Sequence, residues 1–132
     1  MQYHCHWRKT ICCATCVADN FVIICLDCID NKKERNNVIS HLKGDGKEII
    51  EISENQVNSF AGNMLQILGR NNNPLLIMSE SAYNVLTSFQ KDIINKYVKI
   101  VFSSLNTIET YGGGSARCMM AEVFIPKTIQ KL

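Results

Sequence analysis

With 132 residues, 46% of them hydrophobic and 20% charged, the chain has the composition of one globular domain large enough for its own core, which excludes a disordered segment. Fourteen Lys and Arg against twelve Asp and Glu leave a net charge of +2, and the basic residues are scattered without interleaved aromatics, so nucleic acid is a poor partner. The longest apolar runs, Phe21 to Leu26 and Pro74 to Met78, fall far short of the roughly 20 residues a membrane span needs.

The N-terminus, Met1-Gln-Tyr-His-Cys-His-Trp-Arg-Lys, lacks the charged, apolar and small-residue order of a signal peptide, and the expected setting is cytoplasmic and reducing. Seven cysteines, an odd number, then read as free thiols or ligands rather than a disulfide framework. Residues 1–20 are the least regular segment, with His4, His6, Trp7, Cys5, Cys12, Cys13 and Cys16 close together and a poor strand near Ile11 to Val17.

Phe21 to Ile29 is short, β-branched and apolar on both alternating faces, the pattern of a strand buried on both sides. Asp30 is placed to cap a helix over 31–43, with Val38, Ile39 and Leu42 on one face and Gly44 ending it. Lys47 to Ile52 alternates as a strand. Ser53 is a possible cap for a helical turn over 54–60, and Asn63 to Leu68 is a third strand. The turn cluster Gly69 to Asn73 makes a hairpin of that strand with Pro74 to Ser79. Two helical pieces follow, 81–86 and 88–97, with Thr87 placed to cap the second. Val98 to Phe102 is a strand, Asn106 to Glu109 a short turn, and Met119 to Ile125 a last strand closed by Pro126, with 127–132 as a fringe.

Between the last two elements lies Tyr111-Gly-Gly-Gly-Ser-Ala-Arg-Cys118. A backbone of three glycines can approach a ligand closely. Arg117 puts a fixed positive charge beside Cys118 and favours the thiolate, the nucleophilic form. From the residues alone two readings stay open: a catalytic thiol, or a glycine turn before a strand in which Cys118 is a small buried hydrophobe. Glu109 could position the glycine loop or Arg117, or simply be solvated at a helix end. Asn63 suits a backbone turn contact, Met119 and Met120 suit core filling, and His41 falls on the polar side of a helix.

A different class of function, a metal-binding module, is raised by Cys13-Ala-Thr-Cys16 and Cys25-Leu-Asp-Cys28 with His4 and His6 nearby. The spacing argues against it. Only eight residues separate the pairs, neither carries the glycine or proline of a zinc knuckle, and Cys25 and Cys28, at i and i+3 of a strand, would face opposite ways. No metal and no cofactor is expected.

The order strand, strand, helix, strand occurs twice at an offset of about 50 residues, the kind of period that marks repeat architectures, and a third copy begins at Met119. Phe60-Ala-Gly-Asn-Met-Leu-Gln, Met78-Ser-Glu-Ser-Ala-Tyr-Asn-Val-Leu-Thr and Thr107 to Phe124 resemble the C-terminal half of the amidinotransferase superfamily, nearest its arginine deiminase-like hydrolases, which include citrulline-utilising enzymes. The resemblance runs from about residue 16 to residue 126. It implies an α/β fold: a partial propeller of ββαβ repeats, about two and a half of five blades, so that residues 1–132 form the C-terminal portion of a longer domain. It also implies hydrolysis of a guanidino or ureido small molecule such as arginine or citrulline through a covalent thiouronium-type adduct.

By the same resemblance Cys118 is the nucleophile and Gly112, Gly113, Gly114, Ser115 and Arg117 form its loop. A histidine in a Tyr-His-Thr-Asn run is the general acid and base, and carboxylates from the other half bind the substrate nitrogens. The chain departs from that pattern at Tyr3-His4-Cys5-His6. Counted without gaps, the histidine falls on Thr10, and His4 takes the role only if the segment from Cys5 to Thr15 holds six extra residues, as a divergent insertion or an error of reading frame; His6 is the substitute. Two outcomes are thus expected for a chain of this length: an enzyme portion, or an inactive truncated remnant whose open propeller edges self-associate.

Overall fold

The computed structural model of the protein describes residues 14–123. Among them, six strands form two three-stranded sheets of the same build. In the first, β1 (Thr15–Val17) runs antiparallel to β2 (Phe21–Ile24), which runs parallel to β3 (Glu48–Glu51). In the second, β4 (Leu65–Leu68) runs antiparallel to β5 (Pro74–Ser79), which runs parallel to β6 (Lys99–Ser103). Helix α1 (Lys32–Gly44) crosses from β2 to β3 and α2 (Glu54–Asn58) links the sheets; α3 (Glu80–Val85) and α4 (Ser88–Tyr97) cross from β5 to β6, and α5 (Asn106–Gly112) follows β6. No described helix is long and apolar enough to cross a membrane.

Strand β2 explains why its sequence reads apolar at every position. Phe21 and Ile23 point into the main core with Ile50, Leu76 and Met78, while Val22 and Ile24 point the other way, under Val38, Ile39 and Leu42 of α1. The main cluster takes side chains from both sheets and from α2, α3 and α4, so the two sheets share one core.

The strand expected over 21–29 stops at Ile24. Leu26–Cys28 turns as a 3-10 helix, and Arg35 of α1 holds its exit by donating from Nε and Nη2 to the Ile29 carbonyl at 3.2 and 2.9 Å. Cys28 therefore lies in a turn, not on a strand face. The cap of α1 is Asn31 rather than Asp30: the Asn31 side chain accepts from the N–H groups of Lys33 and Glu34. At the other end Gly44 is helical, and the left-handed residue that releases the chain is Gly46, at φ +72°. The hairpin of β4 and β5 forms as expected, though β4 starts at Leu65 instead of Asn63, and Asn71 and Asn72 take positive φ in its turn, a conformation asparagine tolerates. The last expected strand is not seen within 119–123: Met119 ends a 3-10 turn, Ala116–Met119, and 120–123 follow without regular structure.

Ser53 and Thr87 cap α2 and α4, each through a capping box whose second member is a glutamine, Gln56 and Gln90. These two glutamines also meet. Gln56 Nε2 donates to Gln90 Oε1 at 2.7 Å and to the Val85 carbonyl at 2.9 Å, and Gln90 Nε2 donates to the Glu51 carbonyl at 2.7 Å. Buried amides are costly unless bonded, and both are bonded at each end. The network ties the end of β3 to the starts of α2 and α4.

Candidate active site

Helix α5 ends at Gly112, and Gly113 takes the left-handed conformation, φ +68°, that turns the chain back. Gly114 is needed for a different reason. A Cβ there would stand 3.0 Å from Cys118 Sγ and 3.1 Å from its Cβ, so the thiol is packed against bare backbone. Ser115 and Ala116 are buried, and the 3-10 turn that follows presents Cys118 at the surface, exposed, with its N–H donating to the Ser115 carbonyl at 3.1 Å. Cys118 is thus not a buried strand residue.

Asn63 completes the site from the other side of the sequence. It follows a turn in which Phe60 takes positive φ, 65°, and its N–H donates to the Phe60 carbonyl, the backbone contact its position suggested. Its side chain does more. Almost wholly buried, it accepts the Arg117 N–H on Oδ1 at 2.9 Å and donates from Nδ2 to Cys118 Sγ at 3.1 Å. With Oδ1 engaged by an N–H, the atom facing the sulfur is the amide nitrogen, which only donates. A donor aimed at sulfur favours thiolate over thiol.

The Cys118 thiol accordingly lies below its ordinary value, chiefly through the Asn63 hydrogen bond, then through the Ser115 main chain; partial desolvation opposes this, and the Arg117 charge adds to the lowering. Arg117 acts in the direction the sequence suggested but is a smaller influence than Asn63. Its guanidinium also reaches the Thr15 carbonyl of β1, Nη1 to oxygen 2.9 Å, and so pins the nucleophile turn to the first sheet. Cys16, on the same strand, is the chemical opposite of Cys118. Burial pushes its thiol up to about 12, and it is an inert core residue.

Glu109, in the first turn of α5, is held by two hydroxyls: Ser115 Oγ donates to Oε1 at 2.6 Å and Ser81 Oγ to Oε2 at 2.8 Å. Of the two readings left open for Glu109, the contact with the glycine loop is the one seen, through Ser115; the contact of Asn63 with the sulfur is the one the sequence reading missed. The signal for Asn63 was a polar side chain in an apolar stretch, Ala61 to Leu65, inside a recognised motif. His41 is exposed on α1, its Nδ1 at 2.9 Å from the Asn37 carbonyl, away from the thiol's contacts. His4, His6, Thr10, Cys5, Cys12 and Cys13 lie outside the described residues. Of the two Cys-x-x-Cys pairs, Cys16 and Cys25 are buried and Cys28 is half-buried, and no group of three or more metal-ligating side chains gathers among the described residues.

No curated protein and no solved structure matches the chain. A family model does, that of eukaryotic N,N dimethylarginine dimethylhydrolases, over residues 8–125, which include Asn63, Glu109, the glycine turn and Cys118. The chain belongs to this family, and with it to the amidinotransferase superfamily.

Proposed function

We propose that the chain carries the nucleophile of a cysteine-dependent hydrolase of N-methylated arginines or a related guanidino or ureido compound. The observation that carries this reading is the exposed Cys118 sulfur, held 3.1 Å from a buried amide donor in a turn that lies within the residues the family model matches. A guanidinium carbon is a weak electrophile because resonance spreads its charge, so attack needs a thiolate already formed. Cys118 Sγ bonds to that carbon. The carbon–nitrogen bond to the methylated amine then breaks as a general acid protonates the leaving nitrogen, and an S-alkylthiouronium adduct remains. Water, deprotonated by the same group, adds to the adduct carbon and expels the thiolate. A dimethylated substrate and water thus give dimethylamine and a ureido product.

His4 is the proposed acid and base, with His6 as substitute. The two like-built sheets support reading them as blades of an α/β propeller, with the carboxylates that receive the substrate nitrogens supplied by blades outside these residues. The test is acid-quench mass spectrometry of the protein incubated with asymmetric dimethylarginine, monomethylarginine, arginine or citrulline, alongside an assay of amine, ammonia and urea release. A substrate-dependent mass increase on the Cys118 peptide, lost in Cys118→Ala, supports the reading. Absence of both adduct and release with every substrate overturns it.

A further inference from the structure

The Glu109 carboxylate bonds to the loop before the nucleophile rather than to the sulfur, and it bridges that loop to a second element. One oxygen receives the hydroxyl of Ser115, which is wholly buried and three residues before the nucleophile. The other receives the hydroxyl of Ser81, in the first turn of α3. That turn is itself anchored to the second sheet, since the buried Ser79 that ends β5 caps α3 by accepting the Ala82 N–H at 3.1 Å. A carboxylate has two acceptor oxygens and no donor, so it can hold two hydroxyls at once, through short charge-assisted bonds. A neutral amide offers one acceptor and must turn a donor toward one of the serines.

We propose that Glu109 is a positioning residue of the nucleophile: by bridging Ser81 and Ser115 it locks the Ser115 main chain, and through it the Cys118 sulfur, at a fixed height over the end of β5. The chain of contacts is continuous. Sheet two holds Ser79, Ser79 holds α3, Ser81 on α3 holds Glu109, Glu109 holds Ser115, and the Ser115 carbonyl receives the Cys118 N–H. Without the bridge Ser115 is free to rotate, and the turn loses the geometry that sets the sulfur against Asn63. This inference rests on the reading of Cys118 as nucleophile, but it concerns thiol reactivity, which is measured without turnover.

The experiment follows the pH dependence of Cys118 alkylation by iodoacetamide, read by mass spectrometry on the Cys118 peptide, in the unmodified protein, Glu109→Gln, Ser115→Ala and the double variant. Glu109→Gln is expected to move the alkylation midpoint to higher pH and slow the neutral-pH rate roughly tenfold, the size of one charge-assisted hydrogen bond. In the Ser115→Ala background the same change adds little, because the carboxylate acts through Ser115. Where substrate turns over, kcat falls and KM holds. A Glu109→Gln profile superimposed on that of the unmodified protein, or an effect undiminished in the Ser115→Ala background, overturns the proposal. If Glu109→Gln does not fold, Ser115→Ala alone decides: an unchanged Cys118 profile refutes the bridge and a raised midpoint supports it. Failure of every guanidino and ureido substrate would remove the hydrolase reading and leave these alkylation results standing.

Discussion

Asn63 and Cys118 stand 55 positions apart in the chain and 3.1 Å apart in space, and the amide that joins them is oriented by the N–H of the residue next to the cysteine. Asn63→Asp keeps the acceptor for the Arg117 N–H but replaces the donor at sulfur with a second oxygen, so the thiolate loses its partner and gains a like charge beside it. Hydrogen bonds to charged groups are worth about 1.5–3 kcal/mol, so alkylation of Cys118 at neutral pH should slow by about tenfold or more, and because Asn63 is almost wholly buried the new carboxylate should also lower thermal stability. An alkylation rate equal to that of the unmodified protein would show that the amide does not activate the thiol.

The three glycines should answer differently to alanine. Gly112 is helical, and an added Cβ meets only Ile108 Cγ2 at 3.8 Å, so Gly112→Ala is expected to raise stability by about 0.5–1 kcal/mol. Gly113→Ala strains a left-handed residue and should lower stability by about 1 kcal/mol. Gly114→Ala drives a methyl against the Cys118 sulfur, and its main effect should be on thiol reactivity and turnover instead of on melting temperature. Thermal melts and iodoacetamide kinetics on the three variants check the ranking.

The two thiols on either side of Arg117 should give opposite pH dependences. Cys118 titrates below 9.0 when folded, so its contribution to stability is present above 9.0 and is lost as pH falls through the lowered value. Cys16 titrates at about 12 when folded, so its contribution is present below 9.0 and is lost as pH rises from 9.0 toward about 12. Urea unfolding across alkaline pH should therefore show a steeper decline for the unmodified protein than for Cys16→Ala, even though the alanine variant starts less stable. Parallel curves would contradict the buried-thiol assignment.

Arg35 makes both an ion pair and hydrogen bonds, and their values differ. Its partner Asp27 lies 3.3 Å away with 65% of the carboxylate side chain exposed, so Asp27→Asn should cost well under about 1 kcal/mol. The two donations to the Ile29 carbonyl close the 3-10 turn that ends the first parallel crossover strand. Arg35→Ala should cost about 1–2 kcal/mol, and the difference between the two variants in urea midpoint measures the carbonyl contact alone.

Local chemistry was the legible part of the sequence. Ser53 and Thr87 announce helix starts because each is followed three residues later by a glutamine that closes the box, and the glycine and asparagine cluster at 69–73 announces a hairpin. Apolarity was less informative about backbone shape. Leu26 is buried like the strand before it, under α1, but sits in a 3-10 turn, and hydrophobic pattern does not distinguish the two. Asp30 and Asn31 are adjacent residues able to cap, so only geometry selects Asn31. At the site, Cys118, Gly114 and Arg117 could be read in a single stretch of chain. Glu109, six residues before Ser115, could be read as either a loop contact or a solvated carboxylate, and the contact of Asn63 with a sulfur 55 positions away depends on a pairing that no local pattern encodes.

The meeting of Gln56 and Gln90 has a dynamic consequence. Each glutamine starts its own helix and at the same time satisfies the other's buried amide, so neither helix can fray at its N-terminus without exposing a polar group of its neighbour. The described residues form two like-built sheets, an arrangement that by itself would allow one sheet to open at a time. The shared amides instead couple the end of β3 to the start of α4, and backbone protons of the two elements should exchange with solvent through one common opening event, at one rate.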